Sequence, residues 1–304
     1  MALVSVLITT YNGSKYIEKQ LESIINQSVL PDEVIIIDDG SSDDTIEKIK
    51  KFIDIHSLRG WSLQENKINK GWKRNFMEGS QLCSNDYVFF CDQDDIWKPN
   101  KIECLLNYLL KNKNIDVICS DFEDIDENGI YIKEDLSRST KKDKLESVDF
   151  NLVNYYPLRM GCTFAVKNIF LSNAFNYWHH NSAHDAFLWR LSSLKETLYI
   201  LHESLIDYRQ HSGGASKKKL NYDAFLDDIK YQVMVNDILM RYAREQLDAN
   251  DEKIDKILTV SSFFKKRYGI FSNRNLNSFL SLFFVNHPCL KFKLKDFYKF
   301  MFLK

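Results

Sequence analysis

Between Val4 and Cys119 the chain alternates short apolar runs with segments of helical period, and this alternation restricts the fold more than any other feature. Val4–Thr9, Glu33–Ile37, Trp61–Gln64, Tyr87–Cys91 and Asp116–Cys119 read as strands. After the first strand Ile17, Leu21, Ile24 and Ile25 recur at helical spacing, and Ile46, Ile49 and Ile53 do so after the second. Strand, helix and strand repeated in this way imply right-handed crossovers. The expectation is an α/β fold with a mostly parallel central sheet and helices on both faces. Ser14 and Ser42 are placed to cap the first two helices.

Beyond residue 120 the pattern loosens. Asp121 to Lys144 is polar, with Glu127-Asn128-Gly129 as a hairpin turn. A strand at Thr163–Val166, a helix over Ala183–Leu194 and two short apolar segments, Leu198–Leu201 and Leu205–Tyr208, follow. After Gly213-Gly214, Tyr222, Phe225, Leu226, Ile229, Val233, Leu239 and Tyr242 form an apolar stripe on a long helix. The expected division is an α/β catalytic-type domain over 1–215 and a helical C-terminal region over 216–304.

A chain of 304 residues with 44% hydrophobic and 27% charged residues can bury a substantial core. The six cysteines include no Cys-x-x-Cys pair, and several sit in apolar runs, so zinc and a disulfide framework are not expected. That usage suits a reducing cytoplasm. The N-terminal run lacks a basic leader and a small-residue cleavage site, and no apolar stretch reaches the ~20 residues that span a bilayer. The net charge of −1 hides an asymmetry: residues 261–304 carry nine Lys or Arg against the single acid Asp296. That tail also interleaves Phe292, Leu294, Phe297, Tyr298, Phe300 and Phe302 with lysines, a composition that favours an anionic membrane surface. A terminal helix packed on the core is the competing reading. Nucleic acid is not an expected partner, because the basic charge lies far in sequence from the acidic motifs.

Those motifs carry the chemistry. Tyr87-Val88-Phe89-Phe90-Cys91 runs straight into Asp92-Gln93-Asp94-Asp95, a buried strand delivering three carboxylates to its carboxyl end. Open parallel sheets bind ligands at that edge. Carboxylates this close repel one another unless a cation or hydrogen-bond donors compensate, and Mg²⁺ and Mn²⁺ prefer such oxygen ligands. The second strand ends in Asp38-Asp39-Gly40-Ser41-Ser42-Asp43 and the first in Thr9-Thr10-Tyr11-Asn12-Gly13. Either could line a nucleoside pocket, and either is also ordinary turn chemistry.

In order and spacing these three motifs, with Asn69-Lys70-Gly71-Trp72-Lys73-Arg74-Asn75, resemble the family-2 glycosyltransferases of GT-A fold. His184-Asp185-Ala186-Phe187-Leu188-Trp189 and Tyr208-Arg209-Gln210-His211 resemble bacterial rhamnosyl- and hexosyltransferases of surface polysaccharide assembly. The resemblance covers roughly residues 3–215. It implies that Thr9, Tyr11 and Asp39 hold the nucleoside, and that Asp38 either shares this or turns into the sheet. Lys70, Lys73 or Arg74 would lie near the diphosphate and Asp92 near ribose or the donor sugar. Asp94 would ligate Mn²⁺ or Mg²⁺, with His211 contributing to the metal or diphosphate. Asp95 is a second ligand or a helix-capping acid. Asp185 matches the base position of an inverting transfer, and His184 stands where the family often has Glu.

The implied activity moves a hexose or deoxyhexose from a UDP- or dTDP-sugar to a lipid-linked glycan, at the inner face of the cell membrane. The alternatives are a non-catalytic sugar-nucleotide-binding scaffold and a nucleotidyltransferase. The latter would be expected to carry a Gly-rich basic phosphate loop where this chain has Thr10-Tyr11-Asn12-Gly13-Ser14.

Overall fold

The computed structural model describes residues 2–132, 144–211, 221–247 and 251–273. The basic tail beyond Asn273, Gly213-Gly214 and Cys289 lie outside them. The chain divides into two compact units, Met1–Val148 with Pro157–Ser212, and Asp149–Tyr156 with Gly213–Lys304.

In the first unit β1 (Val4–Thr10), α1 (Ile17–Ile25), β2 (Glu33–Asp38), α2 (Thr45–Ile55) and β3 (Trp61–Glu65) alternate as the periodicity predicts. Next come α3 (Trp72–Ser80), β4 (Tyr87–Cys91), the short β5 (Ile96–Trp97) and α4 (Lys101–Lys111). β6 (Val117–Ile125), β7 (Leu145–Ser147), a 3-10 turn at Gly161–Thr163, β8 (Phe164–Lys167), α5 (Asn168–Phe175), α6 (His184–Leu194) and β9 (Leu198–Arg209) complete it.

The sheet order is β3-β2-β1-β4-β8-β6-β9-β5, with β7 on β9. β1, β2, β3, β4, β6 and β9 run one way, and β5, β7 and β8 run against them. Every residue of β1 and β4 is buried, as strands covered on both faces must be. Ile17, Leu21 and Ile24 of α1 join Val6, Ile8, Ile36 and Phe89 in one core cluster. Each such side chain contributes roughly 1.5–3 kcal/mol by leaving water.

Three local expectations are corrected. The apolar segments at 198–201 and 205–208 are one strand, β9. Its polar interruption is a bulge: Ser120 pairs with Leu201 but Asp121 with Ser204, so His202 and Glu203 are extra residues. Ser14 does not cap α1, because the helix starts at Ile17 and the Ser14 amide donates to Asp43 Oδ2 at 3.2 Å. Ser42 does not cap α2; Asp43 Oδ1 accepts the Thr45 amide at 3.1 Å instead. The expected hairpin turn is present, with Asp126 N donating to Ile130 O at 2.8 Å and Gly129 at φ 88°.

In the second unit α7 (Tyr222–Gln246) packs against α8 (Asp251–Asn273). Asn221 caps α7 by accepting the Ala224 amide at 2.8 Å. The segment from Asp149 to Tyr156 belongs to this unit: Tyr155 takes a hydrogen bond from Asn236 at 3.1 Å and packs 4.8 Å from the Phe264 ring. Among the described residues no helix is long and apolar enough to cross a membrane.

Candidate active site

β1, β2 and β4 are neighbours and parallel, so their carboxyl ends reach one edge together. Thr10 pairs with Asp38 and Ile8 with Cys91, which puts Tyr11, Asp39 and Asp92 in one row just beyond the sheet.

The loops after β1 and β2 are stitched to each other. Asp38 Oδ1 accepts the amides of Gly40 and Ser41 at 3.1 and 2.7 Å, and Oδ2 accepts the hydroxyls of Thr10 and Ser41. It therefore serves the turn and not a ligand. The Asn12 amide donates to the Ser41 hydroxyl and Asn12 Oδ1 accepts the Ser42 amide, each at 2.8 Å, with Asn12 at φ 48°. Gln93 clamps the backbone of Tyr11 from the β4 side, accepting its amide at 2.8 Å and donating to its carbonyl at 3.1 Å. A Cβ at Gly13 would lie 2.2 Å from Gln93 Oε1, so a larger residue there would displace the Gln93 clamp. The Tyr11 ring is left 49% exposed at the rim, whereas Thr9 is buried in β1.

Asp39 is buried and organises the segment before α3. Its Oδ1 accepts from Asn66 Nδ2 and the Lys70 amide, both at 2.9 Å, and Oδ2 accepts the Gly71 amide at 2.8 Å. The cations expected near a diphosphate are engaged by one carboxylate. Lys70 Nζ lies 3.0 Å from Glu78 Oε2 and Arg74 2.7 Å from Glu78 Oε1. Lys73 donates instead to the Asn181 carbonyl at 2.9 Å.

Beyond β4, Asp94 Oδ2 and His211 Nε2 lie 2.8 Å apart, although 117 residues separate them in sequence. Asp95 is not a helix cap: α4 begins at Lys101 behind Asn100, and Asp95 is buried with Oδ1 accepting the Arg209 amide at 3.1 Å. Its Oδ2 finds no N–H or O–H donor. One carboxylate oxygen each from Asp92 and Asp95 lies with Cys162 Sγ within 4.8 Å. Burial, then the charge of Asp94, pushes the Asp95 carboxyl up to about 7. Burial and the charges of Asp95, Asp94 and Asp185 push Asp92 well above the usual carboxylate range. Burial likewise holds the Cys162 thiol protonated. Lys101 is fully buried on the protein side, donating to the Cys162 carbonyl at 2.7 Å, and burial lowers its ammonium to about 8.

These residues fit a hard divalent cation. The donors are carboxylates and an imidazole, one buried oxygen has no N–H or O–H donor among the described residues, and burial disfavours the charged forms of Asp92 and Asp95, which a bound cation would restore. With one thiol among carboxylates, the set is short of the Cys and His donors that zinc prefers.

Arg209 holds this loop in place. Its Nε donates to the Asp94 carbonyl at 2.8 Å, and Nη1 to the carbonyls of Asp126 and Glu127 at 3.1 and 3.2 Å. Its guanidinium lies 4.8 Å from the Tyr16 ring, which also packs 5.1 Å from His211. The hairpin turn thus braces the loop that carries Asp94.

Asp185 sits in the first turn of α6, whose N-cap is Ala183. A carboxylate there is favoured by the helix N-terminus, and its Oδ1 accepts the Ala186 amide at 2.6 Å. Its charge is among those that raise Asp92, so the expected base and the β4 carboxylates act within one electrostatic neighbourhood. His184 beside it is buried among Phe76 and Phe90, at 4.2 and 4.9 Å between ring centroids. Burial lowers its imidazole to about 4, so it is neutral. Gly161 makes its space, since a Cβ there would come within 2.0 Å of His184 Nε2.

Tyr11, Asp39, Asp92, Asp94, Asp185 and His211 are thus gathered at one sheet edge or its flanking helix, while Lys70 and Arg74 turn to Glu78. Sequence reasoning missed the parts played by Gln93, Glu78, Lys101, Cys162 and Arg209. Gln93 and Arg209 carried a signal, as members of the Asp92–Asp95 and Tyr208–His211 motifs.

A mostly parallel sheet with an acidic cluster at its carboxyl edge, flanked by a helix bearing one more carboxylate, is the arrangement of an α/β transferase of GT-A type. The chain belongs to glycosyl transferase family 2, whose profile matches residues 5–186. It is 31% identical over 195 residues to Escherichia coli WfgD, named a UDP-Glc:alpha-D-GlcNAc-diphosphoundecaprenol beta-1,3-glucosyltransferase, covering 64% of this chain and 70% of that one. It is 28% identical to an uncharacterized glycosyltransferase of Rickettsia typhi over 87% of this chain and 80% of that one. The fold is similar to that of residues 1–349 of S. aureus TarS, solved with UDP-GlcNAc. There the TM-score is 0.63 at 19% identity, over 98% of this chain and 80% of that one.

Proposed function

We propose that the protein is an inverting, metal-dependent glycosyltransferase that moves a hexose or deoxyhexose from a UDP- or dTDP-sugar to a hydroxyl of a lipid-linked glycan. The observation that carries this reading is the packing of α6, which bears Asp185, against β4 through His184 and Phe90, 4.9 Å between ring centroids, with Asp92, Asp94 and Asp95 following the end of that strand. Asp94 and His211 would hold Mn²⁺ or Mg²⁺, with Asp92 or Asp95 able to add an oxygen. Once bound, the cation would neutralise the nucleoside diphosphate as it leaves. Tyr11 offers an aromatic face to the base, and Asp39 retains a free lone pair on Oδ2 for a pyrimidine N–H. Lys70 or Arg74 would exchange Glu78 for the diphosphate. Asp185 takes the proton of the acceptor hydroxyl as that oxygen attacks the anomeric carbon from the face opposite the leaving group. A carboxylate suffices because deprotonation is concerted with bond cleavage.

The names of the relatives support the substrate class. WfgD acts on a diphosphoundecaprenol-linked sugar and TarS was solved with a UDP-sugar. The basic, aromatic tail supports action at an anionic membrane surface, the inner face of the cell membrane, with the tail as a peripheral anchor.

A thermal-shift screen of UDP-, dTDP- and GDP-sugars with Mn²⁺, Mg²⁺ or chelator tests the reading. A stabilisation of several degrees by one UDP- or dTDP-sugar, lost on chelation, is expected, because a ligand at about 100 times its Kd adds about 2.7 kcal/mol. Stabilisation by none of them, or one indifferent to chelation, contradicts it. Donor binding without turnover on a panel of lipid-linked acceptors would favour the scaffold.

A further inference from the structure

Trp72 opens α3, and none of the roles above uses it. Its side chain is 40% exposed, yet its position is fixed from several sides. Asp39 accepts the two amides that lead into it, those of Lys70 and Gly71, and Gly71 holds φ at 82°, a value that suits glycine. Lys73 ties the start of α3 to the Asn181 carbonyl, with its ammonium 5.8 Å from the indole. On its inner side the indole meets the His184 ring edge-on, 6.2 Å between centroids at 85°.

That neighbour is itself unsatisfied. His184 is 3% exposed, and neither ring nitrogen has a hydrogen-bond partner. A buried donor without an acceptor costs about 1–3 kcal/mol. Trp72 and His184 therefore form an edge-on aromatic pair, with the indole 40% exposed and an unanswered polar group behind it. The pair adjoins Asp185 through the chain itself.

A pyranose ring suits such an indole. It offers one face of polarised C–H groups to a π surface and carries hydroxyls at its edge. The base must touch the acceptor hydroxyl, so the sugar on the α6 side is the acceptor's; the donor sugar belongs with Asp92, below the diphosphate.

We propose that Trp72 is the stacking floor of an acceptor-sugar subsite, holding the pyranose whose hydroxyl faces Asp185. This rests on the transferase reading above for the role of Asp185, but the contact can be read without turnover.

The protein is labelled with 5-fluorotryptophan and the Trp72 resonance assigned with Trp72→Phe. Methyl glycosides of glucose, galactose, N-acetylglucosamine and rhamnose are then titrated, with and without UDP and Mn²⁺. At least one glycoside is expected to move the Trp72 signal saturably, with a Kd on the order of millimolar, and UDP-sugar alone to move it less. No movement by any glycoside overturns the proposal. A larger response to the UDP-sugar than to every glycoside also overturns it, assigning the ring to the donor. With an acceptor that turns over, Trp72→Ala should raise the acceptor KM about 10-fold or more while donor KM stays within about twofold, and Trp72→Phe should recover most of the loss. An unchanged acceptor KM contradicts the subsite. If no nucleotide sugar binds at all, the donor assignment fails while the glycoside titration still reads Trp72.

Discussion

His211 Nε2 lies 2.8 Å from Asp94 Oδ2, joining the last residue of the Tyr208–His211 motif to the acidic loop beyond β4. The pair adds an imidazole to the acidic residues that follow β4. Asp94→Asn removes the charge and His211→Ala the imidazole. Each is expected to lower metal-dependent sugar transfer by about 100-fold or more, by the loss of electrostatic stabilisation of the leaving group. Initial rates against Mn²⁺ concentration check this, and rates within a few-fold of the parent would remove both residues from the metal site.

Arg209 acts one step back. Arg209→Met deletes the bonds to the carbonyls of Asp94, Asp126 and Glu127 while keeping an apolar stem beside Tyr16. The Mn²⁺ concentration for half-maximal rate should rise about 10-fold, the equivalent of roughly 1.4 kcal/mol in loop positioning. Arg209→Lys should recover part of the loss. A fall in thermal stability with an unchanged Mn²⁺ requirement would mark Arg209 as a structural residue only.

Gly161→Ala should be destabilising, because its Cβ would come within 2.0 Å of His184 Nε2 and the ring is confined by Phe76 and Phe90. Overpacking of this kind costs about 1–3 kcal/mol. Calorimetry should show a lowered Tm, and pairing the change with His184→Ala should restore most of it.

The His184 imidazole is lowered to about 4 by burial, against an ordinary value of 6.5. Below pH 6.5 the unfolded chain takes up a proton that the folded chain refuses until about pH 4. Stability attributable to His184 is thus complete above pH 6.5 and falls as pH drops toward 4, by roughly 3 kcal/mol over the window. His184→Phe should flatten that part of the Tm–pH profile. An acid limb of the same slope in the variant would assign the loss to other groups.

The sequence made the sheet edge legible because strands covered on both faces are apolar throughout and end abruptly in acids, as Tyr87–Cys91 does before Asp92. What stayed hidden depends on contacts distant in sequence. Glu78 has no motif of its own, and nothing local reveals that it binds both Lys70 and Arg74. Gly161 and His184 are complementary in shape only after β8 turns back beside β4. The reversed direction of β8 left no trace in periodicity, since Phe164–Lys167 would read the same in either direction. The bulge at His202 and Glu203 made one strand look like two. Asp39 shows the opposite limit: its place at the end of β2 was legible, but not that Asn66, Lys70 and Gly71 would occupy most of its carboxylate.

The most direct test is Asp185→Asn, assayed in parallel for sugar transfer and for the thermal shift with donor and metal. The amide keeps the size of the side chain and its place in the first turn of α6 but cannot accept the hydroxyl proton. Transfer should fall by about 10²–10⁴-fold, the usual contribution of a positioned base, with the donor-induced shift retained. Transfer at the parent rate would contradict the account.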